Sequence, residues 1–143
     1  MRLTTHFTLD EFAVSASHPG VVEPVPDALQ GYCRLLAILA LQPARNALGV
    51  PLRVTSGYRS EALNRAVGGS PTSQHRLAQA ADVTTDDPAA LFVWLRETEP
   101  AGIGQVIYYP ARRFVHVALA SARYPTFAPF SSTTSGMTAL PLR

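Results

Sequence analysis

Residues 27–48, DALQGYCRLLAILALQPARNAL, restrict the fold of this chain more than any other stretch. Leu29, Tyr32, Leu35, Leu36, Leu39 and Ala40 recur at helical spacing, which predicts an amphipathic helix capped by Asp27 and stopped at Gly49. Pro43 has no N–H to donate, so it should kink or restart that helix. One apolar helical face needs a surface to cover, and the sequence downstream supplies strands. PLRVTSGYR (51–59) reads as a strand entering a glycine turn, and AADVT (80–84) as a strand start. QVIYY (105–109) and RFVHVAL (113–119) form a hairpin across Pro110-Ala111-Arg112. Shorter helices are expected over 60–67, capped by Ser60, and from Pro88 to about Glu97, capped by Asp86 or Asp87. Near the start, Thr8 and Glu11 have capping-box spacing. Helices followed by strands with one helix inserted make the fold class α+β rather than doubly wound α/β.

With 143 residues the chain has room for one compact domain, and 47% apolar content suits a globular core. All twelve basic residues are arginine, for a net charge of +2, and they are scattered rather than clustered. That pattern excludes a nucleic-acid binder. Cys33 is the only cysteine, which rules out an intramolecular disulfide and a cysteine-rich zinc site; its apolar neighbours predict a buried thiol. No apolar run reaches the roughly 18 residues needed to cross a bilayer, so no membrane insertion is expected. MRLTTHFTLDEF lacks the apolar core of a signal peptide, so the expected product is soluble and made in the cytoplasm. Residues 13–27 and 68–74 read as loops. Residues 1–120 form the domain, and 121–143 a Pro/Ser/Thr-rich extended arm with Tyr124, Phe127 and Phe130 spaced by three. Such an arm can dock on a partner or fold back over its own domain.

Four histidines occur: His6, His18, His75 and His116. Asp82 follows His75 by seven residues, and His116 lies on the second hairpin strand, facing away from Val115 and Val117. Two imidazoles and a carboxylate bind zinc well and leave a fourth position open, as in catalytic sites. From these residues alone, two unrelated histidines and a strand-edge aspartate remain the competing reading.

HFTLDEF, then PLRVTSGYRSEALNRAVGGSPTSQHRLAQAADV, then QVIYY and FVHVAL resemble the zinc D-alanyl-D-alanine carboxypeptidase and endolysin family of peptidoglycan peptidases, and within it a small phage-associated branch. The likeness runs in order from about residue 6 to residue 119. The family signature, Ser-x-His-x-x-Gly-x-Ala-x-Asp with a later His-Val strand, is matched by Ser73, His75, Ala80, Asp82 and His116. The resemblance implies a small antiparallel sheet flanked by helices, in the D-Ala-D-Ala peptidase/hedgehog-like manner. It implies Zn2+ held by His75, Asp82 and His116, with Arg59 steadying the oxyanion. Ser73 would order the ligand loop or touch substrate, as would Tyr109. The implied partners are peptidoglycan stem peptides, met after release from the cell or from within a particle.

Two positions depart from the pattern. Ala78 replaces the signature glycine, at a cost of about 1 kcal/mol if its φ is positive. The family's catalytic acid falls either three residues before the second histidine or at the end of the preceding strand; those positions are Arg113 and Tyr109. Glu97, Glu99, Asp86 and Asp87 are poorly placed to substitute. The expected function is therefore a zinc peptidoglycan peptidase or a close relative with weakened catalysis. The rival is a non-catalytic component of a phage tail or injection particle that reuses the fold and docks through the arm. A wall-binding domain that grips stem peptides without cutting is a third reading.

Overall fold

The computed structural model describes residues 1–133 and 136–142. The 27–48 run is helical throughout, with an irregularity where proline demands one. A 3-10 turn (Asp27–Leu29) leads into α1 (Gln30–Leu36), then a π-helical turn (Ala37–Leu41), then α2 (Gln42–Leu48). Gly49 ends it in the left-handed conformation, φ 68°. In the wider turn the Gln42 N–H donates to the Ala37 carbonyl five residues back, which accommodates Pro43 without breaking the helix.

The buried stripe is Cys33, Leu36, Ala37, Ala40, Leu41 and Ala44. This corrects the expected apolar face at one position, since Leu35 is 43% exposed. Small side chains occupy much of the true stripe and let the helix lie close on the sheet, which turns Leu35 outward. Cys33 is fully buried, as its neighbours predicted, and burial pushes its thiol pKa up to about 12.

Among the described residues, six strands form one sheet in the order β1-β2-β4-β3-β5-β6. They are β1 (Arg53–Ser56), β2 (Ala80–Thr84), β3 (Ile103–Tyr109), β4 (Phe114–Leu119), β5 (Ala128–Thr133) and β6 (Gly136–Ala139). All pairings are antiparallel except β3 with β5. The α+β expectation holds, with one parallel pair added. Two further helices have the expected caps. Ser60 Oγ accepts the Leu63 N–H (3.1 Å) at α3 (Glu61–Ala66), and Asp87 Oδ1 accepts the Ala90 N–H (3.3 Å) at α4 (Pro88–Thr98).

One sheet face carries Ala81, Val83, Val106, Val115 and Val117, all fully buried, beneath α1 and α4. Phe7 and Phe12 anchor the N-terminal segment, where the Glu11 carboxylate accepts the Thr8 N–H at 2.6 Å. The opposite face of β1, β2 and β4 is left for the site.

The segment read from sequence as an arm lies along the sheet. From the end of β4 the chain passes over the start of β3 and comes down beside it as β5. The Tyr124 carbonyl and Ala120 crowd Gly104 so closely that a Cβ there would collide with both. Phe127 joins the core, and Tyr124 meets Phe130 edge-on at 5.6 Å. No helix among the described residues is long and apolar enough to cross a membrane.

Candidate functional site

Strand register brings two of the three candidate ligands together. Asp82 on β2 stands directly opposite His116 on β4 and Ser56 on β1. Directly opposed residues share a face, and because the valines flanking Asp82 and His116 turn into the core, these two side chains turn away from it. The His116 Nδ1 to Asp82 Oδ1 distance is 2.9 Å.

His75 reaches the same point from a loop. Ser73 caps a 3-10 turn (Gln74–Leu77), its Oγ accepting the His75 N–H at 3.3 Å. Ala78 then takes the left-handed conformation, φ 58° and ψ 26°, and feeds the chain into β2. The His75 ring is fixed by Nδ1, 2.7 Å from the Gly57 carbonyl. A carbonyl only accepts, so Nδ1 carries the proton and Nε2 keeps its lone pair. That Nε2 lies 3.3 Å from Asp82 Oδ1, buried and without a hydrogen-bond partner. Ligand atoms of the three residues all lie within 4.8 Å of one another, and the two imidazole rings are 5.1 Å apart.

The charge states suit a cation. Burial lowers the pKa of His75, against the pull of Asp82, so its imidazole is neutral at neutral pH. Burial opposes ionisation of Asp82, but the imidazoles beside it outweigh burial and hold its carboxyl far below the usual range. Arg59 Nη2 is 3.7 Å from Asp82 Oδ2, and its Nε donates to Ser56 Oγ at 3.3 Å. Burial lowers the Arg59 pKa, while Asp82 and Tyr109 favour its charge. An orphaned buried nitrogen on a neutral imidazole, beside a carboxylate and a second imidazole, fits a divalent metal. The hydrogen bond from His75 to Gly57 is the kind of outer contact that orients such a ligand.

The cluster forms part of the wall of a cleft of about 950 Å³. His75, Asp82, His116, Arg59, Ser73 and Tyr109 all line it, so the structure brings the six expected site residues to one cleft. Ser73 caps the turn that carries His75. Tyr109 stacks on Phe114, with ring centres 4.5 Å apart, and burial, then the charge of Asp82, raises its pKa. Arg113 sits in the β3–β4 turn at φ 59° and donates to the Asp86 carbonyl (3.0 Å). Glu97, Glu99, Asp86 and Asp87 do not line the cleft, which leaves Asp82 as its one carboxylate among the described residues.

Sequence reading missed two features. Gly57 stood in the motif SGYR only as a turn former, yet it supplies the carbonyl that holds His75, and any Cβ there would strike the Phe12 carbonyl. The arginines are scattered in sequence, yet Arg53, Arg59, Arg112, Arg113 and Arg123 converge on the cleft. A family profile described as Peptidase M15 matches residues 5–118. No curated protein matches the chain.

Proposed function

As the chain belongs to the Peptidase M15 family, we propose that it is a zinc-dependent peptidase acting on the stem-peptide amide bonds of peptidoglycan. The observation that carries this reading is the unpartnered Nε2 of His75 beside Asp82 and His116, at the wall of an open cleft. His75, Asp82 and His116 would hold the ion. When bound, zinc supplies an acidified water and polarises the substrate carbonyl.

The remaining steps belong to the protein. Arg59, held by Ser56 and Asp82, keeps a forked cation beside the cluster, where it can stabilise an oxyanion. Ser73 fixes the loop that presents His75. Tyr109 stays a neutral hydroxyl at working pH and can donate a hydrogen bond to the ligand. Proton transfer is the weak step. With no carboxylate besides Asp82 among the described lining residues, turnover should fall about 10²–10⁴-fold short of a site with a positioned base.

The same observation favours a second reading, in which the chain grips wall peptides or serves as a component of a phage tail or injection particle without cutting. The arm would then be the docking element. Elemental analysis of the purified protein and of His75→Ala, followed by an assay on peptidoglycan fragments, separates these readings. About one zinc per chain, lost in the variant, together with slow release of cleaved fragments supports the peptidase. Full zinc with no cleavage supports the non-catalytic reading. No zinc in either protein rejects the metal centre.

A further inference from the structure

We propose that Arg53, Arg112, Arg113 and Arg123 form a carboxylate-binding rim that selects acidic peptides for the metal cluster. The inference rests on the peptidase or peptide-binding reading of the same cleft.

Five arginines line the cleft against one aspartate, so it concentrates more positive charge than the +2 of the whole chain. Four of these arginines are exposed, and none is paired with a carboxylate among the described residues. They come from three separate segments: β1, the β3–β4 turn and the loop after β4. Three are held by contacts that orient a guanidinium without cancelling its charge. Arg112 lies over the Phe114 ring and Arg123 over the Tyr124 ring, each 5.4 Å from the ring centre, and Arg113 donates to a backbone carbonyl. Like charges gathered this way repel one another, and an anionic ligand relieves that repulsion. Guanidinium forks match carboxylates in shape as well as charge.

Register fixes where the anion would lie. Arg53 stands opposite Thr84, whose hydroxyl donates to the Arg113 carbonyl at 2.8 Å. Thr84 is two residues beyond Asp82 on β2, and Phe114 two residues before His116 on β4. Arg123, over Tyr124 beside Gly104, flanks the cluster from one side, whereas the stretch of the rim formed by Arg53, Arg112 and Arg113 begins about 7 Å along the sheet on the other. An extended peptide with its amide at the cluster would reach that stretch within about two residues. The bounded cleft suits a short peptide better than a nucleic-acid strand, which calls for a long basic stripe with stacking platforms.

The test uses the full-length, metal-loaded protein and two synthetic stem-type tetrapeptides, one with free carboxylates and one with the same carboxylates amidated. Calorimetry at low salt should show the acidic form binding about tenfold more tightly. That preference should vanish in Arg112→Ala/Arg113→Ala and shrink in Arg53→Ala. It should largely survive in Arg112→Lys/Arg113→Lys, with zinc content unchanged throughout. Equal binding of the two peptides, binding of neither by zinc-loaded protein, or a preference that survives the alanine variants overturns the rim. So does tighter binding of a single-stranded oligonucleotide of equal charge. If an alanine variant fails to fold, the wild-type ratio and the lysine variant still decide. Zinc content and fragment cleavage report on the peptidase reading, whereas the acid-to-amide ratio reports on the rim alone.

Discussion

Ala78 carries a strain that its burial offsets. Its φ of 58° costs an L-residue about 1–2 kcal/mol. Its methyl is buried in the core and contributes about 0.8 kcal/mol that glycine would forfeit. Glycine would also widen the unfolded ensemble by about 0.4–1 kcal/mol. These terms nearly cancel, so Ala78→Gly should move stability by less than about 1 kcal/mol in a urea titration and leave zinc content alone. A shift above about 2 kcal/mol would show that one of the opposing terms is misjudged. At this scale the sequence was most legible where chemistry admits few residue types. Among four histidines, spacing alone left two readings open, and the resemblance to the peptidoglycan peptidases singled out His75, Asp82 and His116, whose ligand atoms the fold brings together. It was least legible where the backbone acts, because the carbonyl of Gly57 leaves no trace in a residue type. Leu35 was misplaced for another reason: small residues at 37, 40 and 44 decide how near the helix lies, and they carry little hydrophobic signal.

Between elements, the turn after β1 couples the N-terminal segment to the candidate metal cluster. The Tyr58 N–H donates to the Phe12 carbonyl at 2.7 Å, and the Gly57 N–H to the Val14 carbonyl at 3.2 Å. The neighbour that a Cβ at Gly57 would strike is backbone, which cannot swing aside as a flexible side chain would. Gly57→Ala should therefore force the turn off the N-terminal segment and draw the Gly57 carbonyl away from His75 Nδ1. Overpacking of this kind costs about 1–3 kcal/mol, and loss of a ligand's outer hydrogen bond weakens metal affinity about 10–100-fold. Chelator competition on folded variant protein checks this, and unchanged zinc affinity would remove Gly57 from the site. The caps at Ser60 and Asp87 and the Thr8–Glu11 box were readable because each is settled within four residues. The pairing of β5 with β3 was not, since it joins residues more than twenty apart through a stretch rich in proline and serine.

For the molecule as a whole, β5 and β6 place in the sheet a segment that the sequence left equally free to dock on a partner. Their strands cover the edge of β3, pairing Gln105 with Ala128 through Tyr108 with Ser131. Phe127 is only 8% exposed, and Arg96 donates to the Pro141 carbonyl at 3.0 Å. Removing the segment would strip an aromatic side chain from the core, worth about 1.5–3 kcal/mol, and bare a strand edge open to pairing with another chain. A chain cut after Ala120 should therefore unfold at a lower urea concentration, by at least about 2 kcal/mol, and self-associate in sedimentation. The candidate ligand residues on β2, β4 and the 74–77 turn all precede the cut, so any folded fraction should still bind zinc. If the shortened chain instead keeps the full midpoint and stays monomeric, β5 and β6 contribute nothing to the isolated fold. The arm would then be free to leave the sheet for a partner strand, and the particle-component reading would gain at the expense of the self-contained peptidase.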